Sequence, residues 1–380
     1  MSPEHLLILQ YGDYGAAFRR LEQGLPETYR DQKASVDLVA SLAQSGRFRV
    51  TTLAICERPH DEILAPGLRS IGIAKATAYS ARRLLPLLRR LDPDRLILRS
   101  PHLTTAIWAR LRGLPTLPTF ADLFTPGPLR QRVKARALAW ALSGPNVTCV
   151  ANHSRNATAS LHLVLGLAPS RTLAWDHPAL PADPMPKAPA SRPFRIFYAG
   201  VIRPEKGVED ILSAARLLPD LGFDLAGQPA TGPLSHWQDR APPNVRFLGP
   251  LPHAEIQARM RQADLILVPS HHSYPEGLPN TIYEALAART PLAISDHPAF
   301  AGRLRPDRDA LIFPAANPAA LAATIERLRS DPALQIRLSE AAPQALNALR
   351  HGALWSQIVT EWVNDPRNRT GWLARLQTSG

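Results

Sequence analysis

Residues 264–287 read DLILVPSHHSYPEGLPNTIYEALA. The apolar run Leu265–Val268 has the length and makeup of a buried strand. A loop rich in Ser, His and Tyr follows it. Glu276, Gly277, Leu278, Pro279 and Asn280 then lead into a predicted helix that carries Glu284, with Asn280 or Thr281 as its N-cap. Backbone amides at residues 277–281 would emerge from that helix start, where an anion is welcome. Carboxylates on either side suit the vicinal hydroxyls of a sugar nucleotide. Two glutamates eight residues apart occur often by chance. The pair with a strand before it and Gly-Leu-Pro-Asn within it is far more specific.

Upstream, residues 197–207 read FYAGVIRPEKG. A strand closes at Ala199–Gly200, the loop carries Arg203 and Lys206, and Gly207 precedes a helix. Two cations beside free helix amides make a phosphate site. Solvated surface cations would leave the same trace.

Around these two stretches, short apolar runs alternate with helical patterns. Predicted strands cover 5–10, 48–55, 95–99, 116–120 and 146–151, then 195–199, 222–226, 245–248, 264–269, 292–295 and 310–313. Predicted helices cover 28–44, 80–91, 104–111, 129–142 and 154–165, then 208–217, 255–262, 281–288 and 318–329. This alternation argues for an α/β chain with parallel sheets covered on both faces. Residues 178–193 hold six prolines and form a stiff linker. The expectation is two doubly wound, Rossmann-like domains facing across a cleft. Ligands should sit where loops leave the carboxyl ends of the strands.

With these motifs in view, the second half resembles the donor domain of retaining glycosyltransferase family 4, which has the GT-B fold. The resemblance rests on EGLPNTIYEALA, GVIRPEKG, VRFLGPLPHAEIQARMRQADLILVPS and DALIFPAANPAALAATIERLRSDP, and runs from about residue 194 to 362. It implies that Glu284 holds the donor ribose and that Glu276 contacts the transferred sugar. Lys206 would neutralise the diphosphate, helped by amides near Gly277, Leu278, Pro279 and Asn280. Leu248 and Gly249 would lie near the base. Fixed positive charge at the leaving diphosphate is then the main source of rate, and no metal and no cofactor is implied. Residues 186–362 would form the donor domain, residues 1–185 the acceptor-side domain, and the last helix would cross back so that 363–380 pack on the first domain.

The resemblance has departures. The family's phosphate Arg position holds Val201, and Arg203 is the nearest substitute. In the first domain Arg99 stands where a His is usual, with His102 three residues on as a catalytic candidate or a simple helix-start His. Ala121 and Asp122 replace a usual His-Asp. Gly12 and Gly15, in Tyr11-Gly12-Asp13-Tyr14-Gly15, permit close backbone approach to donor phosphate or acceptor. Arg99, Asp122 and Tyr14 are the acceptor-side candidates. His271 and His272 are expected beside the donor sugar, and no metal ligands are assigned.

The chain has 380 residues and a net charge of +12. Residues 1–190 carry +10 of it, with 24 Lys and Arg against 14 Asp and Glu. That asymmetry suits an anionic partner such as a phospholipid headgroup or a lipid phosphate. An Arg-rich solubilising surface explains it equally. Helix 129–142 puts Arg130, Arg132, Lys134 and Arg136 before Trp140, a pattern that fits an anionic membrane surface. No apolar run reaches the roughly 20 residues of a membrane span, and residues 1–10 lack the features of a secretory signal. The expected place is the cytoplasm, as a peripheral protein on the membrane's inner face. Cys56 and Cys149 read as reduced core residues. No motif supports nucleic-acid binding.

Transfer from a UDP- or GDP-sugar to a glycan or a polyprenol- or lipid-linked acceptor, in cell-surface polysaccharide or glycolipid assembly, is the leading expectation. A nucleotide-sugar 2-epimerase on the same fold and a degenerate sugar-nucleotide-binding protein are the alternatives.

Overall fold

The computed structural model describes residues 2–189, 193–350 and 352–378. Among them run fifteen strands: β1 (Glu4–Leu9), β2 (Phe48–Ile55), β3 (His60–Ala65), β4 (Leu68–Ile73), β5 (Arg95–Leu98), β6 (Thr116–Phe120), β7 (Val150–His153), β8 (Thr172–Asp176), β9 (Arg195–Ala199), β10 (Gly222–Ala226), β11 (Val245–Gly249), β12 (Leu265–Val268), β13 (Leu292–Ser295), β14 (Leu311–Phe313) and β15 (Ala353–Leu354). They fall into two compact units. One comprises Met1–Glu27, Asp31–Pro178 and His351–Gly380; the other comprises Thr28–Arg30 and Ala179–Arg350.

The first unit holds a sheet in the order β15-β8-β7-β6-β5-β1-β2-β4-β3, parallel except where β3 pairs β4 antiparallel. Leu6, Leu7 and Ile8 of β1 are fully buried, as a central parallel strand covered on both faces requires. Strand order reverses at β1, which has β2 on one side and β5 on the other. Loops leaving β1 and β5 there part in opposite directions and open a crevice.

Late in this unit, the helix Trp355–Asn364 buries Trp355, Ile358, Val359 and Trp362 in a cluster with Phe48 and Trp175, and the helix Trp372–Thr378 adds Trp372 and Leu373 to it. The Trp355 indole N–H donates to Thr119 Oγ1 at 3.2 Å, and Trp175 donates to the Phe120 carbonyl at 2.8 Å. This apolar face sets the return to the first unit at His351, twelve residues before the expected 363.

The second unit holds six parallel strands in the order β11-β10-β9-β12-β13-β14. Counted within the unit this is 3-2-1-4-5-6, with the switch between β9 and β12, so the loops after those two strands flank the ligand crevice. Residues of the proline-rich segment pack on this unit. The Asp183 N–H donates to the Ala287 carbonyl at 2.7 Å, and the Lys187 N–H donates to Ser339 Oγ at 2.7 Å. The boundary therefore falls at Pro178 and not at 185; residues 190–192 of the expected linker lie outside the described residues.

Several expected elements differ. The helix expected over 28–44 begins at Gln32, after Asp31 in a left-handed conformation. The strand expected over 146–151 begins at Val150, because the Asn146 side chain is spent on the Leu114 carbonyl at 3.0 Å and holds a turn. The hairpin β3–β4, strand β8 and helices Tyr14–Glu22 and Pro332–Leu349 were not expected.

Candidate functional site

In the second unit the loop after β9 forms a short turn, Pro204–Lys206, and then Gly207 starts the helix Val208–Leu217. Gly207 has φ +74°, and a Cβ there would meet the Pro269 carbonyl oxygen at 2.1 Å. Only glycine lets this loop lie against the end of β12. The two loops are also tied by the His271 N–H, which donates to the Glu205 carbonyl at 2.9 Å.

This contact brings Lys206 onto Glu276. The ammonium donates to Glu276 Oε1, and the Ser270 hydroxyl donates to Glu276 Oε2. Side-chain exposure is 13% for Lys206 and 9% for Glu276. The Lys206 Nζ also sits 4.9 Å from the Tyr274 ring centre, and the Arg203 guanidinium 5.1 Å from it. Arg203 pairs with Glu205 at 2.9 Å and is a third exposed. It stands beside Lys206, above the same ring.

Loop 270–276 is pinned from β13. Ser295 Oγ donates to the Ser270 carbonyl at 2.6 Å, and His297 Nε2 donates to the Tyr274 carbonyl at 2.9 Å. Burial of the His297 ring holds its pKa below the usual histidine value, so it is neutral at pH 7.

The helix Asn280–Ala287 starts at Pro279, which is its N-cap, and no side chain caps it. This corrects the expected Asn280 or Thr281 cap. Thr281 Oγ1 instead donates to the Ala199 carbonyl at 3.1 Å, docking the helix on the end of β9. Asn280 Oδ1 is buried with no hydrogen-bond partner among the described residues. Gly277 and Leu278 are buried beside Glu276. Glu284 is buried, and its Oε1 lies 2.7 Å from His253 Nε2. Leu248 and Gly249 end β11, where the Gly249 carbonyl accepts from the Gly227 N–H at 2.8 Å. His271 and His272 bond Asp210 and Asp296 at 2.7 and 2.8 Å and form no shared ligand set.

Ser270, His253 and Asp210 escaped the sequence reading. Ser270 and His253 carried a signal only through their partners: each lies one strand or helix end away from a glutamate already singled out.

Residues 183–345 match the family model described as Glycosyl transferases group 1. The second unit is a group 1 glycosyltransferase domain. A glycogen synthase from Mycobacterium tuberculosis is 30% identical to this chain over 172 residues, 43% of the chain and 40% of that protein. The chain thus spans less than half the length of the curated relative it matches. Among solved structures, the sucrose-phosphate synthase from Thermosynechococcus elongatus superposes with a TM-score of 0.65 at 17% identity, covering 98% of both chains. HepE from Anabaena, solved in complex with UDP-glucose, superposes with a TM-score of 0.63 at 14% identity, covering 97% of this chain and 99% of that one. The fold is GT-B.

The first unit gathers different residues at its own strand ends. The Tyr11 hydroxyl donates to Asp122 Oδ2 at 3.1 Å and accepts from the Ala121 N–H at 2.7 Å. Arg99 bonds Gln10 Oε1 at 3.1 Å and lies 4.3 Å over the Trp355 ring. Burial pushes the Asp122 carboxyl above its ordinary value, against the pull of the Tyr11 bond. Arg99 and Asp122 therefore both lie at the ends of β1, β5 and β6, Asp122 held by Tyr11, which was not singled out, and Arg99 by the adjacent Gln10.

Tyr14 does not face that crevice. It is buried in the core, and its hydroxyl donates to the Val36 carbonyl at 2.9 Å. It opens the helix Tyr14–Glu22, capped by Asp13, so its ring points inward. His102 is likewise a buried N-cap. Its Nδ1 lies 2.9 Å from Thr105 Oγ1 and its Nε2 3.0 Å from the Ala78 carbonyl, which occupies both ring nitrogens. It borders a cavity of about 560 Å³ lined also by Tyr79, Phe124, Gln131, Lys134 and Leu138. Gly12 has open space around its Cβ position, whereas a Cβ on Gly15 would meet Glu62 Oε1 at 2.6 Å. An Asp-x-Asp pair, Asp92-Pro93-Asp94, occurs at the opposite, amino edge of the sheet. There Asp94 accepts from the His5 N–H at 2.7 Å and Asp92 pairs with Arg112 at 2.8 Å.

Among the described residues no helix is long and apolar enough to cross a membrane.

Proposed function

We propose that the chain is a retaining glycosyltransferase that draws its sugar from a nucleotide-sugar donor bound by the second unit. The observation that carries this reading is the Lys206–Glu276 pair at the β9–β12 switch point, backed by the buried Glu284. When the bond from the sugar's anomeric carbon to the diphosphate oxygen breaks, negative charge grows on the leaving oxygen. Lys206, with Arg203 beside it, and the backbone N–H groups of Gly277, Leu278 and Asn280 lie near that charge and need no reorganisation. The arriving diphosphate offers Lys206 a second anionic partner, which frees Glu276 for a sugar hydroxyl. Glu284, held by His253, accepts from the ribose diol. Transfer on these terms is metal-independent.

The acceptor is a glycan or a lipid-linked sugar. Two features of the first unit support a lipid-linked one: the largely apolar cavity beside His102, and the basic helix Leu129–Leu142. That helix leaves Leu129 and Trp140 exposed, with Arg130, Arg132, Lys134 and Arg136 exposed along it. This fits a peripheral protein of the cytoplasmic membrane face, working in cell-surface polysaccharide or glycolipid assembly.

The experiment is calorimetric titration with UDP- and GDP-sugars on the wild type and on Glu284→Ala. One nucleotide-sugar should bind the wild type, and Glu284→Ala should weaken it at least tenfold, about 1.4 kcal/mol. Unchanged affinity in the variant would falsify the assignment.

A further inference from the structure

Apart from the crevices just described, one cluster in the first unit combines donor types that suit a transition metal. Asp13 caps the helix Tyr14–Glu22, Cys56 follows β2, and His60 opens β3. One ligand atom from each lies within 4.8 Å of the other two. His60 Nε2 is 3.7 Å from Asp13 Oδ1 and 3.6 Å from Glu62 Oε1. Glu62 sits two residues after His60, on the same face of β3. Its Oε1 is buried with no hydrogen-bond donor, while its Oε2 pairs with Arg19.

The backbone is arranged to let these groups meet. A Cβ on Gly15 would stand 2.6 Å from Glu62 Oε1, and a Cβ on Gly72 would stand 2.5 Å from His60 Nδ1 and 3.1 Å from Cys56 Sγ. Both glycines lie inside regular elements, where the residue weakens the element by roughly 0.5–1 kcal/mol relative to alanine. Each leaves room on the side where the cluster sits. His60 Nδ1 faces the Arg58 carbonyl at 3.4 Å and Nε2 the Ser70 hydroxyl at 3.2 Å; with the proton on Nδ1, Nε2 accepts from Ser70 and would exchange that bond for the ion.

We propose that Asp13, Cys56, His60 and Glu62 form a structural zinc site. Four donors of S, N and O type suit tetrahedral Zn²⁺, whose ligand atoms stand roughly 3.3–3.7 Å apart at bond lengths near 2.0–2.3 Å. The Asp13, Cys56 and His60 ligand atoms, within 4.8 Å of one another, would draw together around the ion, and Glu62, 3.6 Å from His60 Nε2, would swing in from the His60 side as the fourth donor. Binding converts the Cys56 thiol to a thiolate, and its proton leaves to solvent. Without the ion, burial and the neighbouring Asp13 push that thiol up to about 11. The ion would join three chain segments that otherwise meet through carboxylates, and would brace the loop that follows β1. The site is independent of the transferase reading.

The test is metal analysis of the purified full chain, followed by chelation and titration with Co²⁺. The proposal expects one zinc per chain and, with Co²⁺, an intense near-ultraviolet thiolate-to-metal band. Cys56→Ser should abolish the band, Cys149→Ser should retain it, and His60→Gln should weaken binding by about 100-fold or more. Trace metal and no band in the folded wild type would overturn the proposal. So would a band that survives Cys56→Ser.

Discussion

The Lys206 ammonium and the Glu276 carboxylate form a largely buried ion pair between the loops that follow β9 and β12. Each group is the other's main compensation for lost water. Lys206→Met should therefore cost about 3 kcal/mol of stability, because it strands a desolvated carboxylate with Ser270 as its remaining partner. Adding Glu276→Gln should restore most of that stability. Donor affinity should remain weakened in both variants, since Arg203 alone is left to meet the diphosphate. Urea melts and calorimetry on the single and double variants check this; simple additivity of the two stability effects would contradict it.

Gly207 is a second point of leverage. Its φ of +74° alone costs an alanine about 1–2 kcal/mol, and the Pro269 carbonyl stands where the Cβ must go. Gly207→Ala should lower the melting temperature and weaken donor binding together. Gly222→Ala, at a position with open space and an ordinary φ, should do neither. Thermal melts of the two variants side by side decide the matter.

The fold was legible where one strand or helix makes its own case. Leu265–Val268 is apolar throughout because both faces of a central parallel strand are covered. The hairpin β3–β4 was not legible: residues His60–Ala65 mix His, Asp and Glu with Ile and Leu, since β3 lies at the sheet edge and is half-exposed. Tyr14 followed the same logic from the other side. A tyrosine between glycines looks like a loop residue, yet the Asp13 cap turns it into the first residue of a helix and aims it inward. At the site, Glu276, Glu284 and Lys206 stood out through local spacing. Ser270 and His253 did not, because what gives them meaning is contact with those glutamates, and no spacing rule encodes it.

His5, His102 and His297 are buried, and burial is the main reason each has a pKa below 6.5. An unfolded histidine takes a proton near pH 6.5, while these resist until lower pH. Between the two values the unfolded chain binds more protons, so stability falls as pH drops. The stability is fully present above pH 6.5 and is lost as pH falls through the folded values. Denaturant melts from pH 8 to pH 5 should show this decline. His102→Asn, which preserves a helix cap, should make it shallower.

The basic helix Leu129–Leu142 makes a prediction of its own. Vesicles containing anionic lipid should sediment the full chain, and raised salt should release it. Replacing Arg130, Arg132 and Arg136 with Gln should reduce the bound fraction while leaving the melting temperature unchanged, because all three are exposed. Equal sedimentation with neutral vesicles would rule this role out.

The return of the chain at His351 also bears on synthesis. Trp355, Trp362 and Trp372 belong to the core of the unit begun first, yet they are translated after the whole second unit. While the nascent chain grows, β8 waits without its neighbour β15, and Phe48 and Trp175 wait without the helix that covers them. The group 1 domain is finished before the ribosome releases those residues. The order of completion is thus the reverse of the order of translation: the second unit closes first, and the first unit seals its core only when the C-terminal segment is free to reach back.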